Sequence, residues 1–559
     1  MPLKPIYSRY PLLAIHHSFL SNGQIRTTDE RISRLYESAS SFDEQPSLWE
    51  GLFQLACLLK DEPEKEPAAL KISAALKETE SGSFAGSPDE QISVARAALE
   101  LFGYNTDRQI LKRLSEWCRY LEVEWDTLTQ QSLFLCRPAE LMEFLVRFYR
   151  CSGIKSVLRL CAKLRSSAFD WTTALQTFHQ HVPLAGPREP DPALLFTGDP
   201  GALDYDRKQL LINHAESLAD GFRYCVFSGL FSGNGQDLTA GETAWEYLRS
   251  HHRAVCGGTT ADPLLSGRGT DRATDTRALA AWTEAFAAHL ATDRSEWAAD
   301  ELIRIIHNGL SYCLESPQSV TRQRVNTLAE ENGGDDDPSG ALARLCRAAA
   351  SAYRFAVTLT EDGFRINYLL SGRYILMIRN QPVVVKTEPD KAVFQCREPF
   401  SACVDLYCPP TETGRPYADR GGRETALPEA SDGRNEGYYI RTSGEWKQQE
   451  GFRFRREGRV FCEQTHHQGL CVFERNSLMC LDAKNGDYAY AVCGLPEPAE
   501  DGGVKIPVAR IERWNLHGVV PADIPVLPEP AGEPVSVNLR PYPLTRGRIT
   551  VFPRVKEHV

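Results

Sequence analysis

The chain has 559 residues, 42% hydrophobic and 25% charged, with a formal net charge of −11. That length exceeds one ordinary core and implies two or three domains of a soluble globular protein. The acidic balance argues against a nucleic-acid backbone as the principal partner, since that work needs a basic face, and leaves room only for a local basic patch. No run approaches the ~18 apolar residues of a membrane span.

The first residues, "MPLKPIYSRYPLLAIHHSF", lack a long apolar core and a small-residue cleavage site, so no signal peptide is predicted and the expected compartment is the cytoplasm. The sixteen cysteines contain no C-x-x-C pair. Most lie in apolar runs, such as Cys57 in "FQLACLL" and Cys161 in "VLRLCAKL". This spacing predicts reduced, buried thiols rather than a disulfide framework or a zinc knuckle.

The first ~350 residues read as helices by apolar period. "SPDEQISVARAALELFGY" opens on Ser87, with Pro88 in the first turn and Glu90 three residues after the Ser, which is a capping box. "RPAELMEFLVRFYR" places Leu141, Phe144, Leu145 and Phe148 on one stripe, and "DELIRIIHNGLSYCL" repeats the pattern with Leu302, Ile305, Ile306 and Leu310. About eleven such segments, joined by short breaks, predict antiparallel neighbours. With no fixed repeat period, a closed toroid of helical hairpins is favoured over a solenoid.

After about residue 355 the pattern changes. "GRYILMI", "PVVVKT", "ACVDLYC", "GYYIRT" and "GLCVFE" are short, aromatic and β-branched, as in an antiparallel β-sandwich. The expected organisation is an N-terminal segment (1–30), a helical toroid (31–355), a β-sandwich (356–500), and C-terminal strands completing a sandwich (501–559).

Several stretches then resemble one family in order. "HAESLADGFRYCVFSGLFSGNGQDLTAGETAWEYLRSHHRAVCGG" (214–258) is similar to the central helices of the non-reducing-end β-L-arabinofuranosidases. "ATDTRALAAWTEAFAAHLATDRSEWAADELIRIIHNGL" (273–310) resembles their next hairpin. "EGYYIRTSGEWKQQEGFRF" (436–454), "GLCVFERNSLMCLDA" (469–483) and "NLRPYPLTRGRITVF" (538–552) resemble their β-domain. The resemblance implies an (α/α)6 barrel with an appended β-sandwich. It also implies a carbohydrate partner, with a homodimer among the possible assemblies. In that family a cysteine thiolate attacks the anomeric carbon, a zinc held by a Glu and three Cys tunes it, and a separate Glu is the acid/base.

The matching positions here carry different chemistry. The family's Glu-Thr-Cys falls on Asp275-Thr276-Arg277, and its paired cysteines fall on Asp336 and Asp337, ahead of Pro338 and Arg344. No zinc is expected where arginine and aspartates replace the thiolates, because zinc favours N and S donors. Asp335–Asp337 has two main readings: a cap for the helix opened by Pro338, or carboxylates at the toroid mouth. A site for a hard cation is a weaker third.

Asp262, in "GGTTADPL", falls near the family's acid/base, or is an Asp-Pro turn. Glu140, His214 and Glu216 fall at or beside sugar-contacting positions, with capping, packing or a solvated charge as the alternatives. Neither doublet His251–His252 nor His466–His467 can chelate well alone, because neighbours point apart, and both read as surface or packing histidines. The expectation is therefore a glycoside hydrolase with Asp262, Asp275 and Asp337 as catalytic acids. Glu140, His214, Glu216, Arg277 and Asp336 would contact substrate. The alternative is an inactive relative that binds carbohydrate or serves in assembly.

Overall fold

The computed structural model describes residues 25–555 apart from 78–81, 131, 180–198, 262–263, 270–271, 293–294, 316, 318–322, 325–337, 410–415, 428–436, 455–459, 466–468, 483–488, 500–502, 512–528 and 546–547. Asp262, Asp335, Asp336, Asp337 and the His466–His467 doublet therefore lie outside the described residues.

Six long helices form an inner ring: α1 (Pro46–Leu59), α2 (Pro88–Asn105), α3 (Ala139–Ser152), α4 (Ala215–Ser232), α5 (Thr276–Leu290) and α6 (Pro338–Arg354). Each packs on the next, and α6 packs on α1, so the ring closes. Outer helices, among them Arg108–Val123, Lys155–Ser167, Gly235–His251 and Glu296–Ile305, lie between successive inner ones along the chain and pack outside them. Because inner and outer helices alternate, the inner six run the same way and their N-termini gather at one end.

Local sequence explains the helix starts. The Ser87 hydroxyl accepts the Glu90 N–H at 3.3 Å, and Glu90 accepts the Ser87 N–H at 2.7 Å, completing the expected capping box. At the seam between first and last helices, Gly51 lies so near α6 that a Cβ there would sit 2.6 Å from the Cys346 Cβ. The expected stripes Leu141/Phe144/Leu145/Phe148 and Leu302/Ile305/Ile306/Leu310 are buried.

Two sheets follow the ring, and one of them also takes in a strand that precedes it. One has seven strands, in the order Ile25–Arg26, Gly372–Ile378, Gln381–Glu388, Lys391–Gln395, Gly451–Phe454, Pro416–Arg420, Arg423–Ala426. The other has four, in the order Tyr438–Trp446, Phe400–Cys408, Gly363–Ile366, Val357–Leu359. They meet through aromatic contacts: the Phe394 ring lies 5.0 Å from Trp446 and 5.4 Å from Phe364. Pairing is antiparallel except between Gly363–Ile366 and Phe400–Cys408. A further nine-stranded sheet spans Val460 to Phe552, so its pairing runs across residue 500 and joins the strands on either side.

Both β units dock on the outer wall of the ring. Asp300 accepts from Tyr407 Oη at 2.5 Å and from the Gly437 N–H at 3.2 Å. Asn308, in a π-helical turn (Ile306–Leu310), accepts from the Leu478 N–H at 2.7 Å and donates to the Asn476 carbonyl at 3.1 Å. Among the described residues, no helix is long and apolar enough to cross a membrane.

Candidate active site

The inner helices bring an unusual set of charges to the ring's axis. Nearest the N-terminal rim, Arg137 precedes α3 and meets Glu216 of α4 at 2.9 Å and Asp220 at 2.6 Å. Arg344 of α6 pairs with the same two acids. One level down, Arg223 of α4 meets Glu284 of α5 at 2.9 Å, and Arg347 of α6 meets Glu140 of α3 at 2.8 Å and Glu284 at 3.2 Å. Below these, Arg96 of α2 bridges Glu50 of α1 at 2.7 Å and Glu143 of α3 at 3.2 Å. Toward the base, Glu100 of α2 holds Arg147 at 2.5 Å and Arg354 at 3.0 Å.

Buried charges survive only when paired, because desolvating an isolated ion costs several kcal/mol. Here each inner helix contributes at least one member. Burial pushes these carboxyls up, but the arginines outweigh it. Arg347, Arg96 and Arg223 hold Glu140 well below the usual carboxylate range. Arg137 and Arg344 do the same to Glu216. Glu143 is held down to about 2 by Arg96, Arg223 and Arg147, again against burial. These acids are fixed as anions at neutral pH.

Two sequence-predicted residues occupy caps. Asp275 is the N-cap of α5 and accepts the Ala278 N–H at 2.6 Å. His214 is the N-cap of α4, its ring Nδ1 taking the Ser217 N–H at 3.3 Å. Burial pushes the His214 imidazole down to about 4, with Glu216 opposing in part, so it is neutral at pH 7. Arg277, one residue into α5, is near enough to lower the Glu216 pKa further.

Thus Glu140, His214, Glu216 and Arg277 come together on one charged rim, with Asp275 at its α5 edge. Of the three acids, Glu140 is the most open: its side chain is 31% exposed, against 14% for Glu216 and 12% for Glu143. His251 and His252 lie apart from this rim: His252 is buried and accepts the Gly267 N–H at 3.2 Å, while His251 stacks on Tyr247.

One rim residue was hidden in sequence. Asp89, in the first turn of α2, looks like a helix-start acid. Yet the capping box already engages Ser87 and Glu90, so the Asp89 carboxylate is spared for other contacts. It accepts the Leu133 N–H at 3.3 Å and is half-buried. Burial pushes it up to about 6; the Leu133 N–H and Arg137 pull it down, and the Glu140 charge raises it further. The available signal was redundancy, namely an acid beside a box that did not need it.

No protein-family profile and no curated protein sequence matches the chain. Solved structures do. A protein described as a glycoside hydrolase matches with a TM-score of 0.71 at 12% identity, covering 98% of this chain and 100% of its own. Ara127N, a GH127 β-L-arabinofuranosidase from Geobacillus stearothermophilus T6, matches with a TM-score of 0.62 at 15% identity, covering 93% of this chain and 91% of its own. The chain has the GH127 fold. The GH127 β-arabinofuranosidase BT3674 agrees, with a TM-score of 0.59 at 12% identity over 94% of this chain and 92% of its own. The resemblance read from ordered stretches of sequence is thus borne out at the level of fold.

The zinc–thiolate group that this fold family implies does not suit the described residues of the rim. Asp275 is engaged as a cap, and Arg277 has no lone pair to offer a cation. Cys346, on the α6 helix that follows the aspartate run, is buried, and burial pushes its thiol up to about 12, which leaves it unreactive. Among the described residues no three His, Cys, Asp or Glu side chains cluster as metal ligands.

Proposed function

We propose that the chain is a glycoside hydrolase that cleaves at the non-reducing end of a plant-type or bacterial glycan, using carboxylates on the ring's rim instead of a zinc-bound thiolate. Asp89 is the proton donor and Glu140 the anion opposite it. The observation that carries this reading is a pair of neighbouring carboxyls driven in opposite directions. Burial and the Glu140 charge push Asp89 up to about 6, while four arginines keep Glu140 ionised against its own burial. Two acids with pKa values pushed apart are the arrangement by which most glycoside hydrolases cleave.

In the step itself, the Asp89 carboxyl gives its proton to the glycosidic oxygen. The bond from the anomeric carbon breaks, and its electron pair stays on the leaving oxygen. Glu140 either attacks that carbon, forming a glycosyl ester that a water deprotonated by Asp89 then cleaves, or takes a proton from a water that itself attacks the carbon. The choice depends on separation, ~5–5.5 Å for attack and ~6.5–9.5 Å for water. NMR of the first-formed anomer reads it out. The arabinofuranosidases among the structural neighbours support a furanoside substrate. By resemblance in sequence, the family's site positions fall on Asp262, Asp275, Arg277, Asp336 and Asp337, with Glu140, His214 and Glu216 at or beside its sugar-contacting positions.

The test is Asp89→Asn on a panel of aryl arabinofuranosides and other aryl glycosides. The expected result is an unchanged circular dichroism spectrum with kcat/KM down ~10²–10⁴-fold and the limb of the pH profile near 6 abolished. Unaltered turnover in the variant defeats the assignment. A second reading, a binding protein without turnover, draws on His214 and Asp275 being spent on helix caps. Sugar binding by calorimetry with no hydrolysis anywhere on the panel would select it.

A further inference from the structure

At the level of Gln54 and Arg354, away from the rim, the ring holds a partly open cavity of about 30 Å³. Its lining includes Gln54, Arg223, Glu284 and Arg354, closed on one side by Phe227 and Ala288. Three buried polar atoms on these side chains have neither a hydrogen-bond nor an ion-pair partner in the protein, namely Gln54 Oε1, Arg223 Nε and Arg354 Nε, whereas Glu284 Oε2 makes no hydrogen bond but is ion-paired with Arg223 and Arg344. The amide orientation of Gln54 is fixed, because its Nε2 donates to Glu100 at 2.9 Å and Glu50 at 3.3 Å. Turning it over would set a carbonyl oxygen against two carboxylates.

We propose that this cavity is a built site for a cluster of about two ordered water molecules that join Gln54 to the guanidinium groups of Arg223 and Arg354, at ~10–15 Å³ for each water centre.

The donor and acceptor inventory selects the ligand. An occupant must donate to Gln54 Oε1 and accept from two Nε–H groups. A halide accepts only, and would face the Gln54 carbonyl and the Glu50 and Glu284 carboxylates. A metal cation would face the guanidinium groups. A sugar ring is several times too large. Water donates and accepts, and leaving three such atoms unmade would cost ~1–3 kcal/mol each. The cluster thereby completes the hydrogen bonding of Gln54, which holds Glu50 and Glu100 in register.

The test is a high-resolution crystal structure of the full chain grown with bromide. The expected density is two peaks within ~3.2 Å of the named atoms and no anomalous signal there. A bromide peak, or no ordered density, overturns the proposal. In solution, oxygen-17 relaxation dispersion compares the native chain with Ala288→Met, whose side chain fills the cavity. The native protein should show about two more long-lived waters, and equal amplitudes would overturn the assignment. If the variant does not fold, the native crystal decides.

Discussion

At the ring's axis, Arg96 meets Glu50 at 2.7 Å with side chains only 3% and 2% exposed. In the nine-stranded sheet, Val472, Met479, Ile506, Val508 and Phe552 form an apolar cluster. The two regions are equally dry but respond differently to damage. An apolar core loses stability in proportion to the groups removed. A buried ionic network loses far more than one contact when one member goes, because its partners are left charged and unsolvated.

The sharpest way to break the comparison is Arg344→Ala. It takes from Glu216 and Asp220 one of the two arginines they share and leaves Arg137 to balance both, and the expected loss is ~3–5 kcal/mol in urea unfolding. A loss below ~1 kcal/mol would show that water already reaches the ring's axis.

Acid comes next. Glu140, Glu143, Glu216 and Asp220 have folded pKa values below their unfolded ones. Their contribution is therefore complete above about pH 4.5 and disappears as pH falls toward 2. Asp300, at the dock between ring and four-stranded sheet, has the opposite sign. Burial, against the Tyr407 and Gly437 hydrogen bonds, pushes it up to about 6. Its contribution is complete below about pH 4 and is lost as pH rises through 6. The Tm should thus decline on both sides of a maximum near pH 5, and a Tm that stays level from pH 5 to pH 2 would contradict the ionic account.

Smaller effects sharpen the contrast. Ile506→Val, deep in the sheet, should cost only ~0.5–1.5 kcal/mol, since the sheet keeps most of its apolar contacts. Glu315→Ala removes a surface pair with Arg34, whose side chain is half exposed, and should cost no more than ~0.2–1 kcal/mol. If Glu315→Ala outweighs Ile506→Val, surface pairing matters more here than the comparison allows.

Sequence disclosed the scaffold unevenly. The Ser87–Glu90 box and the stripe through Leu141 and Phe148 were readable because caps and apolar periods are local. Asp275 and Arg344 were matched to helices of the ring by the family resemblance, not by a local signal. The charged axis was not readable. Glu50, Arg96, Glu100, Arg147 and Arg223 sit within helices at positions that look like solvated faces, and only ring closure turns them inward. Asp89 was missed because one helix alone cannot reveal that Leu133, Arg137 and Glu140 surround it. Likewise the sheet joining residues on either side of 500 depends on long-range pairing, which the linker-like "GLPEPAEDGGVK" conceals.

The seam at Gly51 and Cys346 has a consequence for biosynthesis. The first and last staves of the ring touch there, so the barrel cannot shut until about residue 354 has left the ribosome. Until that moment the axial arginines and glutamates stay hydrated in an open trough. Their dehydration is then concentrated in one late event, when the final stave drops in and brings Arg344, Arg347 and Arg354 with it.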